Sequence, residues 1–269
     1  NRARNDSARS AQRPGYNCAM SQNTAWSHKD SPALLAFDTA TEACSVALQY
    51  DGQLLVRFEE LDRGHAERIL PMIDEVLREA AMTLRDLDAI AFGRGPGAFT
   101  GVRLAASVAQ GLAYGANLPV VPVSNLAALA VQALQLDAAA THVWVATDAR
   151  MQEIYCASYQ RTSVPGAPAI LGQESVVGGN ALALPPAELT PFASTRIVAI
   201  GRALSAYPAV AARLAGWCAA SFDAALPRAA DLLALASQQF AAGCAVSAEL
   251  ALPVYVRDDV VRAPVTPMQ

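Results

Sequence analysis

Residues 104–136 contain no charged side chain, and that fact dictates where they lie: a stretch this long without a charge belongs at the centre of the folded chain. It does not read as a membrane span, which needs about 20 consecutive apolar residues. Asn117, Pro119, Pro122 and Asn125 cut it into a helix, a strand and a second helix. Buried helix, strand and helix in succession call for a layered α/β arrangement, with helices packed on a sheet. With 269 residues, 53% of them hydrophobic, the chain can build one large domain or two lobes with separate cores.

The flanking pattern supplies the other elements. Residues 34–37 read as a buried strand, 44–48 as a second and 53–58 as a third, with Asp51-Gly52 at the turn between the last two. Ala66, Ile69, Leu70, Ile73, Leu77 and Ala80 follow helical spacing over residues 64–81. A strand at 89–92, a glycine-rich loop, a helix at 102–114, a strand at 119–123 and a helix at 125–136 complete the order βββαβαβα. That order is the ribonuclease-H-like unit, which the actin, Hsp70 and sugar-kinase superfamily carries in duplicate. A second copy shows in outline: an apolar hairpin over 142–147 and 154–159, a strand at 196–200 and a helix at 203–214. Residues 162–195, rich in Pro, Gly and Ala, read as loop.

The expected fold is therefore α/β, two-lobed and actin/Hsp70/sugar-kinase-like (ribonuclease-H-like), with a reduced second lobe. Residues 1–32 are expected to be a disordered tail or an added extension, 33–136 the first lobe and 137–226 the reduced lobe. Residues 227–262 are expected to form a closing helix and C-terminal segment packing on the first lobe, with 263–269 a tail. The N-terminal stretch lacks the apolar run of a secretory signal, and Met20 offers an internal start.

Charge narrows the chemistry. The net charge is −4, yet the first 32 residues carry five basic residues against two acidic ones, which leaves −7 on the rest. Nucleic acid is held mainly by cationic groups, so a body this acidic is expected to meet RNA only through a partner's surface. Lys29 is the only lysine and stands in the tail, which excludes a Walker-type lysine and a lysine Schiff base from the folded part. His28, His65 and His142 are the only histidines, and no two have metal-ligand spacing. Cys18, Cys44, Cys156, Cys218 and Cys244 are scattered, without a CxxC pair, and read as reduced thiols of a cytoplasmic protein.

Two stretches have the form of phosphate loops. Asp38-Thr39-Ala40-Thr41 ends the first strand with a carboxylate and small hydroxylated residues, suited to ordering a metal and facing phosphate. The same residues also make an ordinary turn whose side chains bond nearby N–H groups. Asp148 is the counterpart in the second copy, but no glycine adjoins it and Arg150 brings a bulky cation. The glycine loop, with Gly93, Gly95, Gly97 and Gly101 around Pro96 and Thr100, runs straight into a helix N-terminus, a natural seat for an anion. A tight turn that brings the helix close to the sheet accounts for it equally well. The candidate nucleotide- or anion-binding set is Asp38, Thr39, Thr41, Gly95, Gly97, Thr100, Asp148 and Arg150, and two degraded loops suit weak binding at most.

Five stretches stand in the order found in the TsaB (YeaZ) family: residues 38–41, 64–71, 93–103, 148–155 and 253–257. The chain resembles that family over residues 33–262. The glycine loop also resembles that of TsaD, the catalytic paralogue, whose relatives carry a metal-holding HxxxH pair just past the following strand. Asn125 and Leu129 stand where those histidines would be, and leucine ligates no metal. The resemblance therefore implies a non-catalytic subunit, with no catalytic residue and no metal. Such a subunit supports N6-threonylcarbamoylation of adenosine 37 in tRNAs reading codons that begin with A, by heterodimerising with a TsaD-like catalytic subunit. The resemblance further implies a TsaE-like ATPase on the assembly, contact with tRNA only through the complex, no tightly bound cofactor, and at most weak ATP or ADP at the subunit interface. The competing function classes are a self-sufficient ATPase or small-molecule kinase using Asp38 and Asp148, and a metallopeptidase.

The helix at 102–114 is apolar around most of its circumference, more than a sheet alone needs to cover. Met72 on the first helix is expected to face outward among Glu67, Arg68, Asp74, Glu75 and Arg78. The candidate partner interface is His65, Arg68, Ile69, Met72, Val76, Leu104, Ala105, Val108, Ala109 and Leu112, and the same face would pair with itself in isolation. Ala109→Arg is expected to abolish heterodimerisation without unfolding the chain.

Overall fold

β1 (Leu34–Asp38) is buried along its whole length, which is why it reads as an unbroken apolar run and not as an alternation. The computed structural model describes residues 32–179, 186–192 and 194–256; the expectations for residues 1–31 and 257–269 lie outside them. β1 pairs antiparallel with β2 (Ala43–Tyr50), which turns at Asp51-Gly52, both in the left-handed region, into β3 (Gln53–Glu60). After α1 (His65–Glu79), β4 (Ala89–Gly95) returns parallel to β1. Next come α2 (Phe99–Ala116), β5 (Val120–Ser124) and α3 (Asn125–Leu136). The first sheet runs β3-β2-β1-β4-β5.

The second sheet repeats this plan. It is built from β6 (His142–Asp148), β7 (Glu153–Gln160), β8 (Ala169–Gly178), β9 (Ile197–Ile200) and, after α4 (Ala203–Ala206) and α5 (Pro208–Leu214), β10 (Ala220–Phe222). Its order, β10-β9-β6-β7-β8, mirrors the first, with α6 (Ala229–Ala241) following. The fold is two-lobed, actin/Hsp70/sugar-kinase-like α/β. Between β8 and β9 the described residues show only a 3-10 turn (Thr190–Phe192) where the first lobe has α1. β8 itself falls within the stretch expected to be loop. Its period is masked by Gly172, Gln173 and Glu174, and its pairing with β7 shifts register at Cys156/Ser158.

The two lobes share helices. α1 and α2 cover one side of the first sheet, packing Ile69, Met72, Val76, Ala105 and Ala109 into one core with Phe37, Val46 and Phe92. On the other side α6 lays Leu232, Leu233 and Ala236 against Leu34, Ala36 and Ala91. α3 turns Ala128 and Val131 to that same cluster and Leu126, Leu129 and Ala133 to Val143, Val145 and Val198 of the second sheet. Of the charge-free stretch, α3 thus lies between the sheets, whereas α2 covers the outer side of the first sheet.

Several expectations about faces are corrected. Met72 is fully buried, not outward, and Ile69, Val76, Ala105 and Ala109 are buried with it. Leu70, expected inward, is 50% exposed. α1 is apolar on more than one side; Arg68 pairs with Glu59 of β3 and with Glu75 of its own helix. α2 begins at Phe99, not at 102, so Thr100 and Gly101 belong to its first turn. Because Ala109 lies in the core, Ala109→Arg is expected to destabilise the chain by on the order of 3 kcal/mol or more, through overpacking and a buried charge. Urea unfolding measures this, and native-like stability in the variant would contradict the burial.

Candidate functional site

The first phosphate-loop candidate is turned inward. Asp38 ends β1 fully buried, and its Oδ1 accepts a hydrogen bond of 2.8 Å from Asn125 Nδ2. Asn125 Oδ1 in turn accepts from the Gly95 N–H at 2.8 Å, so one amide side chain fastens β1 to the glycine loop. Asp38 Oδ2 has no hydrogen-bond partner among the described residues. Burial lifts this carboxyl to about 6, against the opposing pull of the Asn125 amide and of the Ala40 and Thr39 N–H groups.

The glycine loop closes over the same turn. Ala98 N–H donates to Ala40 O at 2.7 Å, and Thr39 Oγ1 donates to Gly101 O at 2.8 Å. A Cβ at Gly97 would run into the Ala40 carbonyl and one at Gly101 into the Thr39 carbonyl, so these two glycines serve close backbone approach. A C-terminal strap adds the last tie, with Val254 N–H donating to Arg94 O at 2.8 Å. Beside it the Arg103 guanidinium lies over the Phe99 ring, 3.2 Å from its centroid, with Tyr255 next to it.

Between the lobes lies a cleft of about 470 Å³. Of the candidate binding residues, Thr41, Gly97, Asp148 and Arg150 line it; Asp38, Thr39, Gly95 and Thr100 do not. Asp148 is occupied within the chain: it accepts from Arg150 N at 2.8 Å, from Tyr207 Oη at 3.1 Å and from the Arg150 guanidinium at 3.3 Å. Glu42, on the opposite wall, pairs with Arg150 at 3.1 Å and with Arg202 at 3.6 Å, and Arg202 also pairs with Glu60. The strap residues Val254, Tyr255 and Val256 make that side of the cleft apolar.

Sequence reasoning missed Glu42, Arg202, Tyr207 and Glu174. Glu174 crosses from β8 to pair with Arg94 at 3.2 Å and to accept from the Ser124 hydroxyl. Burial first, and the Glu174 charge second, pushes the nearby Tyr159 hydroxyl far above its usual range. Nothing in the local pattern around Glu174 pointed to such a contact. No cluster of His, Cys, Asp and Glu among the described residues could hold a metal, and no helix there is long and apolar enough to cross a membrane. Cys44, Cys156 and Cys218 are free, and burial pushes the Cys44 thiol up to about 11 and that of Cys218 up to about 12.

Asp38 generates a signed pH dependence. Its folded pKa of about 6 stands above the unfolded value of about 3.9, so between them the folded chain holds a proton that the unfolded chain releases. The stability this proton confers is complete below about pH 4 and is lost as pH rises through about 6. Asp38→Asn, which cannot ionise, is expected to gain on the native protein by on the order of 3 kcal/mol between pH 4 and 7. Urea unfolding across that range reads the difference; a gap that stays flat or shrinks with pH would put the carboxyl at or below its ordinary value.

A family model described as TsaD, tRNA N6-adenosine threonylcarbamoyltransferase, matches residues 56–262. The tRNA threonylcarbamoyladenosine biosynthesis protein TsaB of Escherichia coli (strain K12) is 41% identical over 232 residues, covering 84% of this chain and 95% of its own. The protein of the same name from Haemophilus influenzae is 41% identical over 228 residues, covering 84% of this chain and 94% of its own. The structure of YeaZ from Pseudomonas aeruginosa superposes with a TM-score of 0.74 at 43% identity, covering 83% of this chain and 99% of that one. With the two-lobed fold, the glycine loop sealed over Asp38, and Asn125 and Leu129 buried in structural roles, these matches place the chain in the TsaB (YeaZ) family.

Proposed function

We propose that this chain is the non-catalytic partner subunit in N6-threonylcarbamoylation of adenosine 37 of tRNAs reading codons that begin with A, acting by heterodimerising with a TsaD-like catalytic subunit. The relatives named above support the pathway, and the outward face of α2 supports the partnership. Ser107, Gly111 and Gly115 recur there every fourth residue, all exposed, and open space surrounds the position of a Cβ on either glycine. A helix-interior glycine costs about 1 kcal/mol relative to alanine. Nothing inside the chain needs these two small, so the close approach they allow suits a surface from outside.

Half-buried Leu104, Val108 and Leu112 flank this line, and Tyr114, 77% exposed, stands beside it. Leu70 of α1 projects from the same side of the first sheet. Two helices of this size from each partner would bury about 1,600 Å², the standard for a specific interface. Of the interface candidates, Leu104, Val108 and Leu112 sit on this face, while His65 and Arg68 belong to α1, where Arg68 is paired with Glu59 of β3 and with Glu75. Ile69, Met72, Val76, Ala105 and Ala109 would act only from beneath, by shaping the two helices.

On this reading the protein needs no tightly held cofactor, because both loop aspartates are engaged within the chain. ATP or ADP would meet it only weakly, at the subunit boundary. A TsaE-like ATPase would bind the assembled pair, tRNA would be met through the complex, and the α2 face would self-associate when the catalytic subunit is absent.

Reconstitution of the modification with and without this chain is the deciding assay: full product in its absence would sink the proposal. Gly111→Arg tests the face. With open space around its Cβ the variant is expected to fold with equal or higher stability, yet to lose co-elution with the catalytic subunit in gel filtration. Unchanged co-elution would put the contact elsewhere.

A further inference from the structure

Among the described residues, the second lobe reaches the glycine loop through the half-buried carboxylate of Glu174. Glu174 projects from β8, and its two oxygens meet Arg94 Nη1 at 3.2 Å and Nη2 at 3.3 Å, a paired, fork-like contact. The arginine side chain is 16% exposed and the glutamate 11%, so both charges are largely withdrawn from water, where removal of one partner is costly to the other. Ser124 Oγ donates to the same carboxylate while accepting the Ala127 N–H as the cap of α3. One glutamate of the second lobe therefore holds the residue that opens the glycine loop and the residue that starts α3. The ties to Asn125, Ala40, Thr39 and Val254 described above come from the first lobe and the strap.

These contacts fix the path of the loop on both sides. Arg94 precedes the Gly95 N–H that Asn125 accepts, and its carbonyl receives Val254 N–H. Four residues beyond Gly95, α2 begins at Phe99. Between Arg94 and that helix start, Gly97 and Gly101 pack against the Ala40 and Thr39 carbonyls, so the position of Arg94 and the first turn of α2 belong to one close-packed segment.

We propose that Glu174 is a positioning residue: through Arg94 and Ser124 the second lobe sets the glycine loop, and with it the direction in which α2 leaves the sheet. The second lobe thus acts on the partner face without touching it. The affinity part of this inference rests on the partner reading above; the loop part does not.

Amide hydrogen exchange on the full chain tests it, comparing the native protein with Glu174→Gln and Glu174→Ala. In Glu174→Ala, exchange over residues 93–101 is expected to quicken about tenfold, while β2 and α6 keep their native rates. Glu174→Gln, which keeps an acceptor for Ser124, restores part of that protection and supplies the comparison should the alanine variant fail to fold. Affinity for the catalytic subunit is expected to weaken roughly threefold to tenfold in Glu174→Ala, with partial recovery in Glu174→Gln. Unchanged exchange over 93–101 in a folded variant would overturn the proposal, and so would acceleration spread evenly over both lobes. If the native chain binds no catalytic subunit at all, the partner reading falls, and the exchange data alone decide the role of Glu174.

Discussion

The structure depends on α3 being solvated by protein on every side. The helix has no charged residue, and nine of its twelve positions, from Asn125 to Leu134, are buried. A helix that is apolar all round is stable only inside a protein, and a single sheet can cover only one of its faces. The second sheet covers the other, so the two lobes share one continuous interior. Gln132 provides the polar exception, donating to Asp231 of α6 and to the Leu226 carbonyl. Leu129 belongs to this packing. Deleting a buried leucine side chain typically costs about 2–5 kcal/mol, so the position that would hold a metal ligand in a TsaD-like enzyme is here committed to joining the lobes.

The N-terminal end of α3 explains the glycine loop. An anion cradle needs backbone N–H groups that point at empty space. Here the Gly95 N–H goes to Asn125 and the Ala98 N–H to Ala40 O, while the loop carbonyls at Arg94 and Gly101 receive Val254 N–H and the Thr39 hydroxyl. The loop is a strand-to-helix joint in which these two N–H groups and two carbonyls are engaged within the chain. Asp38 shows what the closure costs: a carboxyl sealed without a partner for Oδ2 sits at about 6, where a solvated one would ionise freely. Of the two readings the sequence left open for residues 38–41, the turn is the one that the hydrogen bonds support.

Much of this was legible in advance, for physical reasons that differ by element. Of the uncharged stretch, α3 marks the centre, because burial penalises charge; α2, equally uncharged, covers an outer side instead. The order βββαβαβα followed from runs bounded by strong turn residues. Faces were harder to read. α1 carries apolar residues at 66, 69, 70, 72, 73, 76 and 77, and the choice between Leu70 and Met72 as the inner one is made by packing against Phe37, Val46 and Phe92 of the sheet, which is a tertiary fact. The start of α2 was misplaced because Phe99-Thr100-Gly101 has poor helix propensity and is held instead by contacts with residues 39 and 40. β8 was hidden because Gly172, Gln173 and Glu174 break its alternation where Glu174 turns toward Arg94. That side chain looked like loop polarity for the same reason that makes it informative.

The charges around the cleft contribute little to the connection between the lobes. The mouth of the cleft carries Glu42, Glu60, Asp148, Arg150 and Arg202, yet each is paired with another, and Arg150 remains 76% exposed. Exposed pairs of this kind are worth about 1 kcal/mol or less each, too little to lock two lobes together. The rigid connection comes from α3, with the Arg94–Glu174 pair beside it. This explains why the second lobe persists although its loop holds no free carboxylate: without its sheet, Leu126, Leu129, Ala130, Ala133 and Leu134 would face water, and the helix that anchors Asp38 and the glycine loop would lose its reason to be helical. The strands of the second lobe are what α3 cannot do without.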